Sequence, residues 1–90
     1  MTERSLQVTY RKGRPFAAYL HLPHTTGDRC VRTVATPDGL LLVDYNSAGQ
    51  PLGLEITAPS AVSLARVNDL LTSLGEPPMA DHEFKPVQAA

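Results

Sequence analysis

From Leu6 to Ile56, apolar and polar side chains alternate with the period of two that marks half-buried strands; from Ala61 to Leu74 the period lengthens to that of a helix. Leu6, Val8 and Tyr10 alternate with Gln7 and Thr9 in a first strand. Arg11-Lys12-Gly13-Arg14 is its turn. Pro15, tolerated at the first residue of a strand, opens a second one in which Phe16, Ala18, Leu20 and Leu22 alternate with Ala17, Tyr19 and His21. The polar stretch Pro23 to Asp28 reads as a loop, and Arg29 to Ala35 as a third strand.

Two tight turns frame the middle of the chain. In Thr36-Pro37-Asp38-Gly39, proline is pre-set for the first central position of a type I turn and glycine is free to take the left-handed conformation after it; Asn46-Ser47-Ala48-Gly49 repeats the logic without proline. If a glycine bulge closes each turn, Val34 faces Leu42, Arg32 faces Asp44, Leu42 faces Leu54 and Leu40 faces Ile56. One face of this meander then carries Cys30, Val34, Leu40, Leu42, Leu52, Leu54 and Ile56, and must be covered. The other carries Val31, Thr33, Ala35, Leu41, Val43, Tyr45, Gly53 and Glu55, too apolar for water and too interrupted for a second core.

After Ile56, Leu64, Val67, Leu70, Leu71 and Leu74 fall within an arc of about 120° on a helix over Ala61 to Leu74. Ser60 is its expected N-cap, Gly75 its C′ residue and Pro77-Pro78 its stop, with Arg66 and Asp69 a surface pair. Met79 to Ala90 shows no sustained period. The expected organisation is one domain over residues 1–76 and a mobile tail over residues 77–90. The fold class is α+β: an antiparallel sheet of about five strands, a meander, covered on one face by a C-terminal amphipathic helix.

At 90 residues, 42% hydrophobic and 19% charged, the composition excludes a disordered chain, and the longest apolar run, Phe16 to Leu20, is too short to span a bilayer. No secretory segment follows Met1, and a single cysteine agrees with a cytoplasmic protein. The charge is uneven. Residues 1–35 carry a net +4 and residues 36–90 a net −5. Such polarity can steer a charged partner, but its simpler use is attraction between the two halves of one fold.

Candidate chemistry is sparse. Glu55 lies in a strand beside Gly53, where a carboxylate could serve as a base, although an acceptor of turn hydrogen bonds is the commoner role. Asp44 is expected to pair with Arg32 across the sheet. His21, His24, Asp28 and Cys30 have metal-like side chains but not the paired spacing of a zinc site, and no phosphate loop, nucleophile elbow or paired cysteine motif is present. No metal or cofactor is expected. Arg11, Lys12 and Arg14, flanked by Tyr10 and Phe16, have the composition of a nucleic-acid contact, but both aromatics share the parity of the core residues and are expected to be buried.

The order of these pieces resembles a family of small bacterial domains of unknown function. Its hallmark, a strand ending in Asp, a Gly turn and then Gly-Ile-Glu-Ile, is matched by Asp44, Gly49 and Gly53-Leu54-Glu55-Ile56, and its Tyr-led opening hairpin by Tyr10 to Leu22. Arg11 and Arg14 depart from the acidic residues usual there. The resemblance implies an antiparallel sheet with a helix, no established enzymatic activity and an antitoxin-like binding role.

These readings converge on a non-enzymatic interaction module. Its expected contact surface is the half-apolar face, Val31, Leu41, Val43, Tyr45 and Glu55, closed by a second copy or a small protein partner. The alternatives are a nucleic-acid-binding accessory using Arg11, Lys12 and Arg14, and a small enzyme using Glu55.

Overall fold

A computed structural model describes residues 4–25 and 27–88. The chain opens with a hairpin of β1 (Ser5–Arg11) and β2 (Arg14–His21). Its two-residue loop, Lys12-Gly13, has positive φ at both positions (53° and 77°), the type I′ geometry whose twist matches that of the flanking strands. Lysine is poorly suited to that conformation, which costs about 1 kcal/mol relative to glycine or asparagine. A bulge interrupts the pairing beside it: Thr9 pairs with Ala17 and Tyr10 with Pro15, leaving Phe16 as the extra residue.

Strands β3 (Arg32–Ala35), β4 (Leu41–Tyr45) and β5 (Pro51–Ile56) form the expected antiparallel meander, but in a different register. Val34 pairs with Val43, not Leu42, and Leu41 with Ile56. The cause lies in the first turn. Its type I core forms, with the Gly39 N–H donating to the Thr36 carbonyl at 2.8 Å, but Thr36 then closes onto Leu41 at 2.9 Å. Leu40 is taken out of the ladder: its N–H donates to the Asp38 carboxylate at 3.0 Å and its carbonyl accepts from the Thr57 N–H at 3.1 Å. The second turn closes as expected, Asn46 onto Gln50, but Leu52 is then unpaired between Asp44↔Gly53 and Tyr45↔Pro51. Together the two irregularities turn β4 over while β5 keeps its face. Leu41 and Val43 are buried at 0% and 3% exposure, and Leu42 faces away from the core.

The strand order is β1-β2-β5-β4-β3, so the first hairpin joins the meander through β5 and the loop after β2 crosses the ends of β5 and β4. Helices α1 (Leu64–Ser73) and α2 (Asp81–Gln88) pack on one face of the sheet. The core joins Ala18, Leu20, Leu22, Leu41, Val43, Leu54 and Ile56 of the sheet side to Val67 and Leu71 of α1 and Phe84 and Val87 of α2. Each large side chain buried here contributes about 1.5–3 kcal/mol. All five apolar positions expected on the first helix join this cluster.

The helix starts later than the pattern suggests. Pro59–Ala61 forms a 3₁₀ turn, and Ser63, not Ser60, is the N-cap, accepting from the Arg66 N–H at 3.1 Å. Its end is a Schellman motif: the Glu76 N–H reaches the Leu71 carbonyl and the Gly75 N–H that of Thr72. Arg66 pairs with Asp38 of the first turn at 3.4 Å, and not with Asp69. The Thr36 hydroxyl, then the Leu40 N–H and Arg66, hold the Asp38 carboxyl below the usual carboxylate range.

Residues 81–88 are helical and packed, not a mobile tail. The Asn68 side chain holds the Met79 backbone at both its N–H (2.7 Å) and its carbonyl (3.1 Å), and the Ala80 N–H donates to Glu83. Arg4 bonds the carbonyls of Pro77 and Pro78 and pairs with Glu83 at 3.3 Å, and the Tyr10 hydroxyl donates to the Pro86 carbonyl. Two buried side chains in one short helix give no legible period; long-range hydrogen bonds supply the anchoring instead.

This packing sets an order of stabilities. Phe84→Ala should cost about 3–5 kcal/mol in urea denaturation, more than the ~1–2 kcal/mol strain of Gly49→Val in the second turn. The reverse order would remove α2 from the core. Because the Asp38 pKa is lowered in the folded protein, its contribution is present above the normal carboxylate pKa and is lost as pH falls through the folded value. Asp38→Asn should therefore lose less stability than the wild type on acidification, as read from thermal melts.

Candidate functional site

The face of the sheet away from the helices is open and carries a hydrogen-bonded array. Ser5, His21, Gly53, Asp44 and Thr33 stand in register across all five strands, and Gln7, Tyr19, Glu55, Leu42 and Ala35 form the next row. The Tyr19 ring lies over Gly53 so closely that a Cβ there would sit 2.5 Å from it. Only glycine admits this contact. The ring thereby delivers its hydroxyl to Asp44 Oδ2 at 2.7 Å, while the Thr33 hydroxyl donates to Oδ1 at 2.6 Å. Cys30 Sγ contacts the Thr33 hydroxyl at 3.5 Å, His21 bonds Gln7 at 2.6 Å, and the rings of Tyr19 and His21 are 4.7 Å apart. Burial first, and then the Asp44 carboxylate, push the Tyr19 hydroxyl well above the ordinary tyrosine pKa. It is held as a proton donor, not as a base.

Asp44 therefore spends its oxygens on Tyr19 and Thr33 and not on Arg32. The changed register sets Arg32 opposite Tyr45, whose ring it covers at 4.8 Å. Glu55 stands beside Tyr19 and Leu42 at an open hollow, and among the described residues its side chain makes no hydrogen bond or ion pair. His24 bonds the Thr25 carbonyl, and among the described residues no group of three His, Cys, Asp or Glu could hold a metal ion. The expected contact face is not a contiguous patch: Leu41 and Val43 lie in the core under the helices, Tyr45 and Glu55 are half-buried, and Val31 alone is fully open, at 62% exposure.

The exposed large apolar groups of the described residues sit at the two ends of the sheet. Val31 precedes the outer strand β3 and Val34 lies within it; Tyr10 and Phe16 belong to the first hairpin and are 52% and 53% exposed, not buried as their parity predicts. The bulge at Phe16 breaks that parity. The Arg11 guanidinium covers the Phe16 ring at 5.1 Å, and an open hollow of about 590 Å³ is lined by Arg11, Lys12, Arg14, Pro15 and Phe16. Of the six cations in the first 35 residues, Arg4 alone forms an ion pair among the described residues.

Strand β3 is exposed along its whole length. Since the Thr36 N–H points to Leu41 of β4 and Val34 pairs with Val43, the backbone groups of Thr33 and Ala35 point outward, away from the sheet. Nothing in the pattern of apolar residues signals this edge, because that pattern predicts a longer strand whose valines lie on the two faces of the sheet. No helix among the described residues is long and apolar enough to cross a membrane. No protein-family model matches the chain, and neither a curated protein nor a solved structure matches it.

The Tyr19 contact has a pH signature. A raised folded-state pKa leaves the stability intact below the normal tyrosine pKa of 10.0 and erodes it above, where the unfolded chain ionises first. Between about pH 9 and about pH 11, Tyr19→Phe should lose less stability than the wild type in thermal melts. Equal losses would mean that the fold does not hold the Tyr19 hydroxyl in its protonated form.

Proposed function

We propose that the protein is a non-enzymatic interaction module that self-associates by strand addition along β3. The observation that carries this reading is the outer edge itself: outward backbone groups at Thr33 and Ala35, bordered by Val31 and Val34 at 62% and 45% exposure. An uncovered edge is a template for another strand. A two-fold pairing in which Thr33 exchanges hydrogen bonds with Ala35 of a second copy sets Val34 against its own copy, where the side chains come closest. The same register places Arg32 beside Thr36 of the second copy and keeps the two Arg32 side chains apart, so charge does not oppose it. The result is a continuous sheet with the helices of both copies on the same side of the pairing. We place the module in the bacterial cytoplasm, on the resemblance of its second turn and on Cys30, an exposed unpaired thiol that suits a reducing compartment.

Sedimentation equilibrium at high micromolar concentration tests this. The wild type should be a dimer, and Ala35→Pro, which removes an outward N–H without touching the β3–β4 ladder, should be a monomer with an unchanged circular dichroism spectrum. A monomeric wild type sinks self-association and leaves the edge to a different protein; a dimer that survives Ala35→Pro places the interface elsewhere.

A further inference from the structure

We propose that the tip of the β1–β2 hairpin binds single-stranded nucleic acid, with Lys12 and Arg14 on phosphates and Arg11 and Phe16 forming a stacking platform for a base. Four independent features of the hairpin converge there. Arg11 and Arg14 are a direct cross-strand pair, so two like charges stand face to face where a carboxylate would stabilise the hairpin. Lys12 occupies a left-handed position, φ 53°, that asparagine or glycine fills with less strain. Among the described residues none of these three cations forms an ion pair. And the bulge presents Phe16, a large aromatic, to solvent with a guanidinium over its ring.

The first two are local costs to folding, and among the described residues no ion pair offsets them; the contact the fold draws from these cations is that of Arg11 with the Phe16 ring. Costs of this kind that persist together at one spot mark a site whose residues are selected by something outside the fold. Cations alone would suit any anionic surface. The aromatic and the stacked arginine narrow the choice, because a flat π-face rewards an unstacked base, which a single strand offers and a duplex hides. The open hollow lined by Arg11, Lys12, Arg14, Pro15 and Phe16 leaves room for one nucleotide against these groups. The hairpin lies at the opposite end of the strand order from β3, so this site is independent of the self-association proposed above.

Fluorescence anisotropy with a labelled oligothymidylate of about twelve nucleotides, and with a duplex of the same length, tests the proposal at low salt. The single strand should bind more tightly than the duplex. The logarithm of its affinity should fall with the logarithm of salt with a slope of about −1.4, the value for two phosphate contacts on a single strand, and the slope should collapse in the Arg11→Gln/Lys12→Asn/Arg14→Gln variant. Phe16→Leu, which keeps apolar bulk without the ring, should weaken binding roughly tenfold. Lys12→Asn should raise the melting temperature while lowering affinity. Circular dichroism shows that each variant scored is folded. Equal binding of duplex and single strand, full affinity in Phe16→Leu, undiminished binding by the triple variant, or the absence of binding would each overturn the proposal. So would capture by phosphatidylserine vesicles without any affinity for the oligonucleotide, which would make the tip a membrane contact.

Discussion

The structure depends on what happens to the main chain of Leu40. Its N–H goes to the Asp38 carboxylate and its carbonyl to the Thr57 N–H, so the residue is fully satisfied outside the ladder. With Leu40 withdrawn, Thr36 closes onto Leu41 across four residues instead of onto Leu40 across three, and β4 enters the sheet with the opposite parity. Left alone, that shift would set Leu41 and Val43 on the same face as Gly53 and Glu55. The unpaired Leu52 corrects it one turn later, returning Leu54 and Ile56 to the side of Leu41 and Val43. A single core therefore requires both irregularities at once. Asp38 also reaches Arg66, so the group that sets the register helps to seat the first helix.

This explains why the architecture is legible from the residue pattern and the register is not. Strand number, the meander, the order of elements and the five apolar positions of α1 are properties of alternation over many residues, and one shifted residue does not disturb them. Register is decided by single hydrogen bonds. Nothing in Thr36-Pro37-Asp38-Gly39 distinguishes an aspartate that completes a glycine-bulge turn from one that captures the next N–H, since both use the same type I core. The consequence for the candidate surface is large. Leu41 and Val43 move from its centre to the centre of the core. The helix over residues 81–88 is illegible for a different reason: Phe84 and Val87 are too few to set a period, and Arg4, Tyr10 and Asn68, which hold that segment, are remote in sequence.

The open face is a different kind of surface from the one alternation suggests. Part of its polar surface is already spent internally, with Asp44 shared by Tyr19 and Thr33 and His21 tied to Gln7, while Glu55 makes no hydrogen bond or ion pair among the described residues. At those satisfied groups a partner gains little, because every new bond would break an old one. Glycine at position 53 is what makes the arrangement possible, since the Tyr19 ring fills the volume that a side chain would take. In the sequence this glycine is only the strand neighbour of a candidate base, Glu55. In the folded sheet it is the floor under an aromatic ring, a role that only the register reveals.

The exposed large apolar groups of the described residues lie at the two ends of the sheet, and the charge distribution bears on both ends. Among the described residues, ion pairing between a basic first half and an acidic second half operates in one place, Arg4 with Glu83, where it clamps α2. The remaining excess of positive charge stays near the ends: Arg11, Lys12 and Arg14 on the first hairpin, Arg29 and Arg32 beside β3. On the hairpin the cations crowd together without acids, which suits a polyanion. Along β3 the two arginines act differently. Strands that add to this edge with Arg32 facing Arg32 are penalised, whereas the offset that brings Val34 onto Val34 separates them, so the same charges that protect the edge from indiscriminate pairing select one register for the specific one.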